Sequence, residues 1–489
     1  MKTNDYLLIT ATMGYSYLFY QQTAGINYLV FNLLFVLLLL IRNRDLLLKR
    51  KWAWALGLCL TSSIGILLTS SSLSIIANCV SLLLLSALSF SIKTSSVFSF
   101  IFSIYSLLSS TVWVVIDLVA RVAAAKGTME HSAKNKSYKA IAILAVFVLC
   151  LMFFGLYKNA NPLFAENTKW INLDFISFSW MVFTLGGFFL VYALFYHKTI
   201  DSIEVWENGL SRSNSEFKSE KLKQTETERF GGMLLFIFLN LMLVVLNVGD
   251  ITTIWFHAAL PKGVTHTDFV HNGVGMIILS ILIATALIMF LFRKKDEQGK
   301  HTKLIKILVY LWIFQNLIML FSTTIRNQIY IHDFNFTYKR IGVYVWLFLA
   351  AVGLVITFIK VMNERSNWFL IKNNFAVWFT VLCLASLPNW DILITRYNLA
   401  NKPLKDVDLY YLFSLSDSNI PELLAVTKDP DFARVKDKLK NYRGANVYYY
   451  DENYMSLLHQ KIRHYMRYYN ADWQSWDLVD QRNIKTLIK

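Results

Sequence analysis

The stretch LNLMLVVLNVGD, residues 239–250, decides the fold class. Its polar residues, Asn240, Asn247 and Asp250, stand seven and three residues apart, which places them on one stripe of an α-helix. The apolar run around them covers about 231–256, more than the roughly 20 residues that cross a bilayer. A second stretch, WIFQNLIMLFSTTIRN at 312–327, repeats the device with Gln315, Ser322 and Arg326, and with Asn316 beside them. Between Glu228 and Lys360 the sequence predicts four consecutive membrane-spanning helices, whose outer ends also carry His271 and Arg340. Amides inside lipid must bond to neighbouring helices, so both stripes are expected to face the bundle interior. An intramembrane carboxylate is costly unless paired, so Asp250 is expected to pair with Arg326 or Arg340.

The whole chain agrees with this class. Of 489 residues, 55% are hydrophobic and 16% charged, with mean hydropathy +0.43. A soluble domain could not hide so much apolar surface, so the expected fold is all-α and polytopic. The net charge of +16 fits Lys and Arg gathered in cytoplasmic loops. No basic stripe sits on a soluble fold, which argues against nucleic acid. The four cysteines lie inside apolar runs and form neither a disulfide framework nor a thiolate metal site. No cleavable signal peptide is evident, and the first hydrophobic segment is expected to be retained as an anchor.

Apolar runs fall at about 5–21, 25–41, 52–69, 73–92, 96–119, 138–157, 173–196, 231–256, 270–292, 303–323, 341–362 and 374–390. They predict about twelve transmembrane helices and a C-terminal helical extramembrane tail. The expected divisions are 1–120, N-terminal helices; 121–230, central helices with cytoplasmic loops; 231–390, the core bundle; and 391–489, an extracytoplasmic tail. Charge counting puts Arg293-Lys294-Lys295, the 197–230 loop and the basic 121–139 segment inside, and the tail outside. The N-terminal part breaks this pattern. Arg42, Arg44, Lys49, Arg50 and Lys51 also look cytoplasmic, yet three apparent spans separate them from residue 121. Either one segment between 52 and 119 is re-entrant or the first basic loop faces outward. The Ser-rich stretch from Thr69 to Ser72 is the weak point in that segment.

Two other groups of residues invite chemistry. His257, His266 and His271, with His332 and Asp268, are near enough in sequence to suggest zinc, but their spacings of nine and five match no metal signature. Capping and interfacial hydrogen bonding is the plainer reading, and no cofactor is expected. In the tail, Tyr465, Tyr468, Trp473 and Trp476 suit a headgroup layer or a protein partner. The 453–469 stretch has helical period and reads either as an interfacial helix or as packing onto the rest of the tail. Serine elbows, phosphate-binding glycine loops, dinucleotide fingerprints and zincin helices are missing.

Several runs taken together carry a resemblance. They are Leu239-Asn240 to Asn247 to Asp250, Trp255-Phe256, and His271-Asn272-Gly273-Val274-Gly275. To these belong Trp312-Ile313-Phe314-Gln315-Asn316, Arg326-Asn327, and Thr337-Tyr338-Lys339-Arg340-Ile341-Gly342-Val343. Asn161-Pro162-Leu163-Phe164 and Asn389-Trp390-Asp391 fit the same setting. Over roughly residues 140–420 the chain resembles an uncharacterised family of bacterial polytopic membrane proteins, a domain of unknown function. The resemblance implies a bacterial inner-membrane location and a multi-helix fold, and it supplies no substrate, reaction or partner.

The expected function is a non-catalytic accessory or scaffold subunit of a cell-envelope complex, in contact with lipid and with a protein partner through the tail. The alternatives are a transporter with a polar pathway around Asp250 and Arg326, or a membrane enzyme on a lipid-linked substrate. No Gly- or Pro-broken helix pair recurs in the two halves, which argues against the transporter.

Overall fold

The computed structural model describes residues 3–90, 94–126, 153–158, 160–168, 177–200, 226–255, 266–292, 302–435 and 453–488, with a few single positions between them. Helices account for the regular structure, and no strand occurs among the described residues. Contacts group the chain into two compact units, Met1–Glu204 with Asn470–Gln481, and Val205–Tyr469 with Arg482–Lys489. This grouping assigns Asn470–Gln481 to the same unit as the N-terminal helices.

In the first unit, α1 (Thr3–Phe19) and α2 (Ile26–Arg42) form one hairpin, and α3 (Arg50–Thr69) and α4 (Ser72–Phe90) a second. Ser70 closes the second hairpin in the left-handed region at φ 47°. The Ser-rich stretch is thus a tight turn between two long helices. Amides and hydroxyls hold α2, α3 and α4 together. Asn32 Nδ2 donates to Ser63 Oγ at 2.6 Å and to Asn78 Oδ1 at 3.0 Å, and the Ser62 and Ser81 hydroxyls meet at 3.0 Å. Buried polar groups need such partners where water is absent. α5 (Ser96–Lys126) follows, then the short α6 (Pro162–Asn167), which Asn161 caps with Pro in the first turn. α7 (Phe178–Phe195) runs antiparallel to α1, with Ser16 on Thr184 at 2.7 Å and Tyr20 on Ser177 at 2.8 Å. Gly187 lets α7 approach the Tyr15 ring, since a Cβ there would lie 2.2 Å from it.

The segment Asn470–Gln481 completes this unit. Ile26 N donates to Trp476 O at 2.9 Å, and Gln22 bonds Asp472 and Ser475. Gly25 is required for this docking, because a Cβ would sit 2.6 Å from the backbone of Ser475 and Trp476.

In the second unit, α8 (Glu226–Asp250) passes into a π-helical turn at Ile251–Trp255 and is followed by α9 (His266–Leu291). α10 (Thr302–Phe334), α11 (Tyr338–Met362) and α12 (Asn367–Ala385) complete its long helices. Phe236, Ile288, Val309, Trp312, Leu354 and Val361 are among the residues of the core shared by α8, α9, α10 and α11. The tail starts with α13 (Trp390–Asn401), α14 (Leu409–Ser414), α15 (Ile420–Val426) and α16 (Phe432–Val435). They surround the fully buried Tyr454 of α17 (Tyr454–Tyr468), and α18 (Leu478–Leu487) closes the chain. Asn398 fastens this domain to the α10–α11 turn by accepting from Phe336 N at 2.6 Å and donating to Phe336 O at 2.9 Å. Packing within the tail accounts for the 453–469 stretch. α17 buries the stripe Tyr454, Leu458, Lys461 and Tyr465. Lys461 Nζ donates to Phe413 O at 3.2 Å and Leu415 O at 2.6 Å at the end of α14, and burial lowers its pKa.

Among the described residues, eight helices are long and apolar enough to cross a membrane, against the twelve expected. Two further expected spans appear as shorter apolar helices, Ile26–Arg42 and Gly275–Leu291. α1 has 17 residues, a rise of about 26 Å, somewhat less than the roughly 30 Å hydrocarbon core. The expected 138–157 span lies mostly outside the described residues. These helices make the chain a multi-pass membrane protein.

Asp477 caps α18 by accepting from Asp480 N at 2.7 Å, yet burial lifts its carboxyl to about 6. The folded protein therefore holds this proton more tightly than the unfolded chain. The stabilising effect is complete below about pH 4 and is lost as pH rises through about 6. Asp477→Asn is expected to strengthen docking of Asn470–Gln481 at pH 7 by at most about 3 kcal/mol and to flatten its pH dependence. Hydrogen-exchange protection of that segment between pH 4 and 7 measures both.

Candidate functional site: a polar seam between two parallel helices

The seam begins with the register of α8 against α10. Asn240 Nδ2 donates to Leu308 O at 3.0 Å, and Asn247 Nδ2 donates to Gln315 O at 3.2 Å. Both acceptors stand 68 positions beyond their donors, so the two helices run parallel and make the same bond twice, one heptad apart. Gln315 Nε2 adds a bond to Asn240 Oδ1 at 2.6 Å. Asn240 also donates to Phe236 O, and Asn316 to Trp312 O, each on its own helix. Asn240, Asn247, Gln315 and Asn316 are all buried.

The seam ends in an ion pair. Arg326 Nη2 lies 2.7 Å from Asp250 Oδ2 and 3.0 Å from Thr323 Oγ1. Arg326 stands eight residues, about 12 Å, beyond the level set by the amide register, so its side chain runs back along α10. Asp250 is the last α-helical residue before the π turn, a local widening often found where a helix must place a functional group. Arg340 takes a different position. Its guanidinium lies 4.3 Å over the Tyr330 ring, and its carbonyl accepts from Asn327 at 3.1 Å. Asn247 Oδ1, Gln315 Oε1 and Ser322 Oγ are buried without a hydrogen-bond partner among the described residues.

His257 lies outside the described residues. His266 and His271 are on α9, but their side chains also lie outside them. His332 is exposed beside Asp333 at 3.3 Å. In the tail, Tyr465 is buried, whereas Tyr468 is 64% exposed. Trp473 and Trp476 are exposed in the segment docked on the first unit, where the Trp473 ring stands 6.3 Å from Tyr17.

A second polar cluster escaped the sequence reading. In the first unit Asp5 accepts from Arg121 at 2.9 Å and from the Tyr196 hydroxyl, while Asp117 accepts from Lys198 at 3.2 Å and from the Tyr192 hydroxyl. Each carboxylate thus receives one cation and one phenol. The signal was present: Asp117 and Arg121 stand one turn apart in an apolar helix, as do Tyr192 and Tyr196.

Removing one member of the Asp250–Arg326 pair leaves an uncompensated buried charge, a loss on the order of 3 kcal/mol. Asp250→Asn and Arg326→Gln are each expected to lower the melting temperature in detergent, and the double variant to recover most of the loss. A double-mutant cycle measures the coupling.

No curated protein and no solved structure matches this chain. A family match does exist and is longer than the stretch that carries the resemblance, since it takes in the helices from Leu7 onward and ends with α15. With residues 7–426 matching Domain of unknown function (DUF4153), the chain belongs to that family.

Proposed function

We propose that this protein is a non-catalytic accessory or scaffold subunit of a cell-envelope complex in the bacterial inner membrane, with its tail on the extracytoplasmic side. The observation that carries the reading is that the charged and amide groups of the seam bond across helices. Asn240 meets Gln315, and Asp250 meets Arg326, so the costly groups join helices. The tail adds the means of engagement. It has its own core around Tyr454, and α17 leaves Met466 and Tyr468 half or more exposed beside Arg463 and Arg467. Aromatic and Arg side chains of this kind anchor protein interfaces.

A transporter reading has one observation in its favour. Asn247 Oδ1, Gln315 Oε1 and Ser322 Oγ, without partners among the described residues, lie along the same seam as the ion pair and could receive a cation or a polar solute.

A photo-crosslinking residue at Tyr468, activated in intact cells, separates the readings. The scaffold reading expects one envelope protein to be captured at near-stoichiometric yield, with capture lost when α17 is made more polar at Met466 and Tyr468. Isolation of the chain alone, together with loss of an envelope phenotype in a normally folded Asp250→Asn/Arg326→Gln variant, would overturn it in favour of the pathway.

A further inference from the structure

Helix α5 has the length and composition of a membrane span, but its contacts give it another direction. We propose that α5 lies in the plane of the bilayer along the basic end of the first unit, with its outer face in the lipid of an anionic leaflet. The two ends of the helix carry the argument. At its start, Lys51 Nζ donates to Thr94 O at 3.0 Å. Near its other end, Arg121 bonds Asp5 at 2.9 Å and the Tyr196 hydroxyl at 3.1 Å.

All of these partners belong to one end of the unit. Lys51 opens α3, Asp5 lies in the first turn of α1, and Tyr196 follows α7. Arg42 closes α2 and lies 3.8 Å over the ring of Phe90, which closes α4. Ser86 Oγ donates to Leu194 O at 2.6 Å, joining the last turns of α4 and α7. A crossing helix would carry Arg121 about 40 Å from Thr94, to the end where Ser70 Oγ meets Ala24 O at 2.5 Å. Between its ends α5 passes α4 at Leu83, seven residues before that helix closes, and then stays beside the last turns of α7. Ser103 donates to Leu83 O at 2.8 Å, Ser106 receives Lys198 N at 2.9 Å, and Tyr192 bonds Trp113 O.

The protein-facing side of α5 carries a polar stripe beside the buried Phe98 and Phe102, and its outer side is apolar. Ser99, Ser103, Ser106, Ser110, Asp117 and Arg121 form the stripe turned to the protein. Ile101, Ile104, Leu108, Val112, Val115 and Val119 recur at spacings of three and four and are 38–78% exposed. Lipid is the occupant that suits this outer stripe. Charge agrees: Arg42, Arg44, Lys49, Arg50 and Lys51 are exposed at the same end, next to the exposed Leu47 and Leu48. Such a basic rim with apolar residues between its charges is the chemistry of an anionic headgroup layer.

The placement removes the conflict in charge counting. With α5 in the plane, two crossings separate Arg42–Lys51 from Arg121, and both basic segments share the cytoplasmic face. Asn470–Gln481 docks on the α1–α2 turn, at the other end of the unit, which agrees with a tail outside.

The test uses the full chain with its four cysteines replaced and Arg44→Cys, Lys126→Cys or Ala471→Cys introduced singly. A membrane-impermeant maleimide is applied to sealed right-side-out and inverted vesicles. Positions 44 and 126 are expected to label from one face and 471 from the other; labelling of 44 and 126 from opposite faces overturns the proposal. Spin labels at 108, 112, 115 and 119 should share one depth, whereas a crossing helix would change depth by about 16 Å over that range. Should the cysteine-free chain not fold, epitope tags after Leu48 and after Lys126 in the cysteine-containing chain report the same two outcomes by antibody access before and after permeabilisation.

Discussion

Where water is absent, a polar side chain must find its partner on another helix, and this constraint organises both units. In the second, it sets the register of α8 on α10. Two asparagines one heptad apart reach carbonyls one heptad apart, and the Asp250–Arg326 pair closes the seam at the C-terminal end of α8. A shift of either helix by one turn would break these bonds together and leave two charges in an apolar surround. In the first unit the same constraint joins α2, α3 and α4 through Asn32, Ser63 and Asn78, and it clamps α5 through Asp5 and Asp117.

Apolar packing fills the space between these joints but specifies less. Leu and Ile side chains gain little from one protein neighbour over another when the alternative is lipid. The Trp312 and Phe236 rings pack at 6.2 Å within a core that would tolerate rearrangement more readily than the amide seam. Specificity in this protein therefore resides in a few polar contacts, and the segments after α12 are attached by similar means. Asn398 grips the backbone of Phe336, and Gln22 and Gly25 receive the segment around Ser475.

Much of the candidate site was legible in the sequence. The spacing of Asn240, Asn247 and Asp250 placed them on one face, and the cost of a carboxylate in lipid demanded a cation from a neighbouring helix. Choosing between Arg326 and Arg340 was beyond the sequence, because both stand near the same turn. Arg340 is engaged by the Tyr330 ring, and Arg326 has the reach back along its helix. The Asp5–Arg121 and Asp117–Lys198 pairs went unread because their members come from helices whose adjacency no local pattern announces. Tyr465 was read as part of a docking surface, yet it is the last residue of the buried stripe on α17.

The sequence alone determined that the chain is helical, that most of its helices are lipid-compatible, and which faces carry polar groups. These follow from local composition and the 3.6-residue period. Tertiary structure decided which helices are parallel, where the tail divides, and in which direction α5 runs. Hydropathy is a sum over the residues of a segment, and that sum is the same whether the helix lies across the membrane or along it. Direction is decided by contacts such as that between Asp5 and Arg121, 116 residues apart, which form only when the chain is folded.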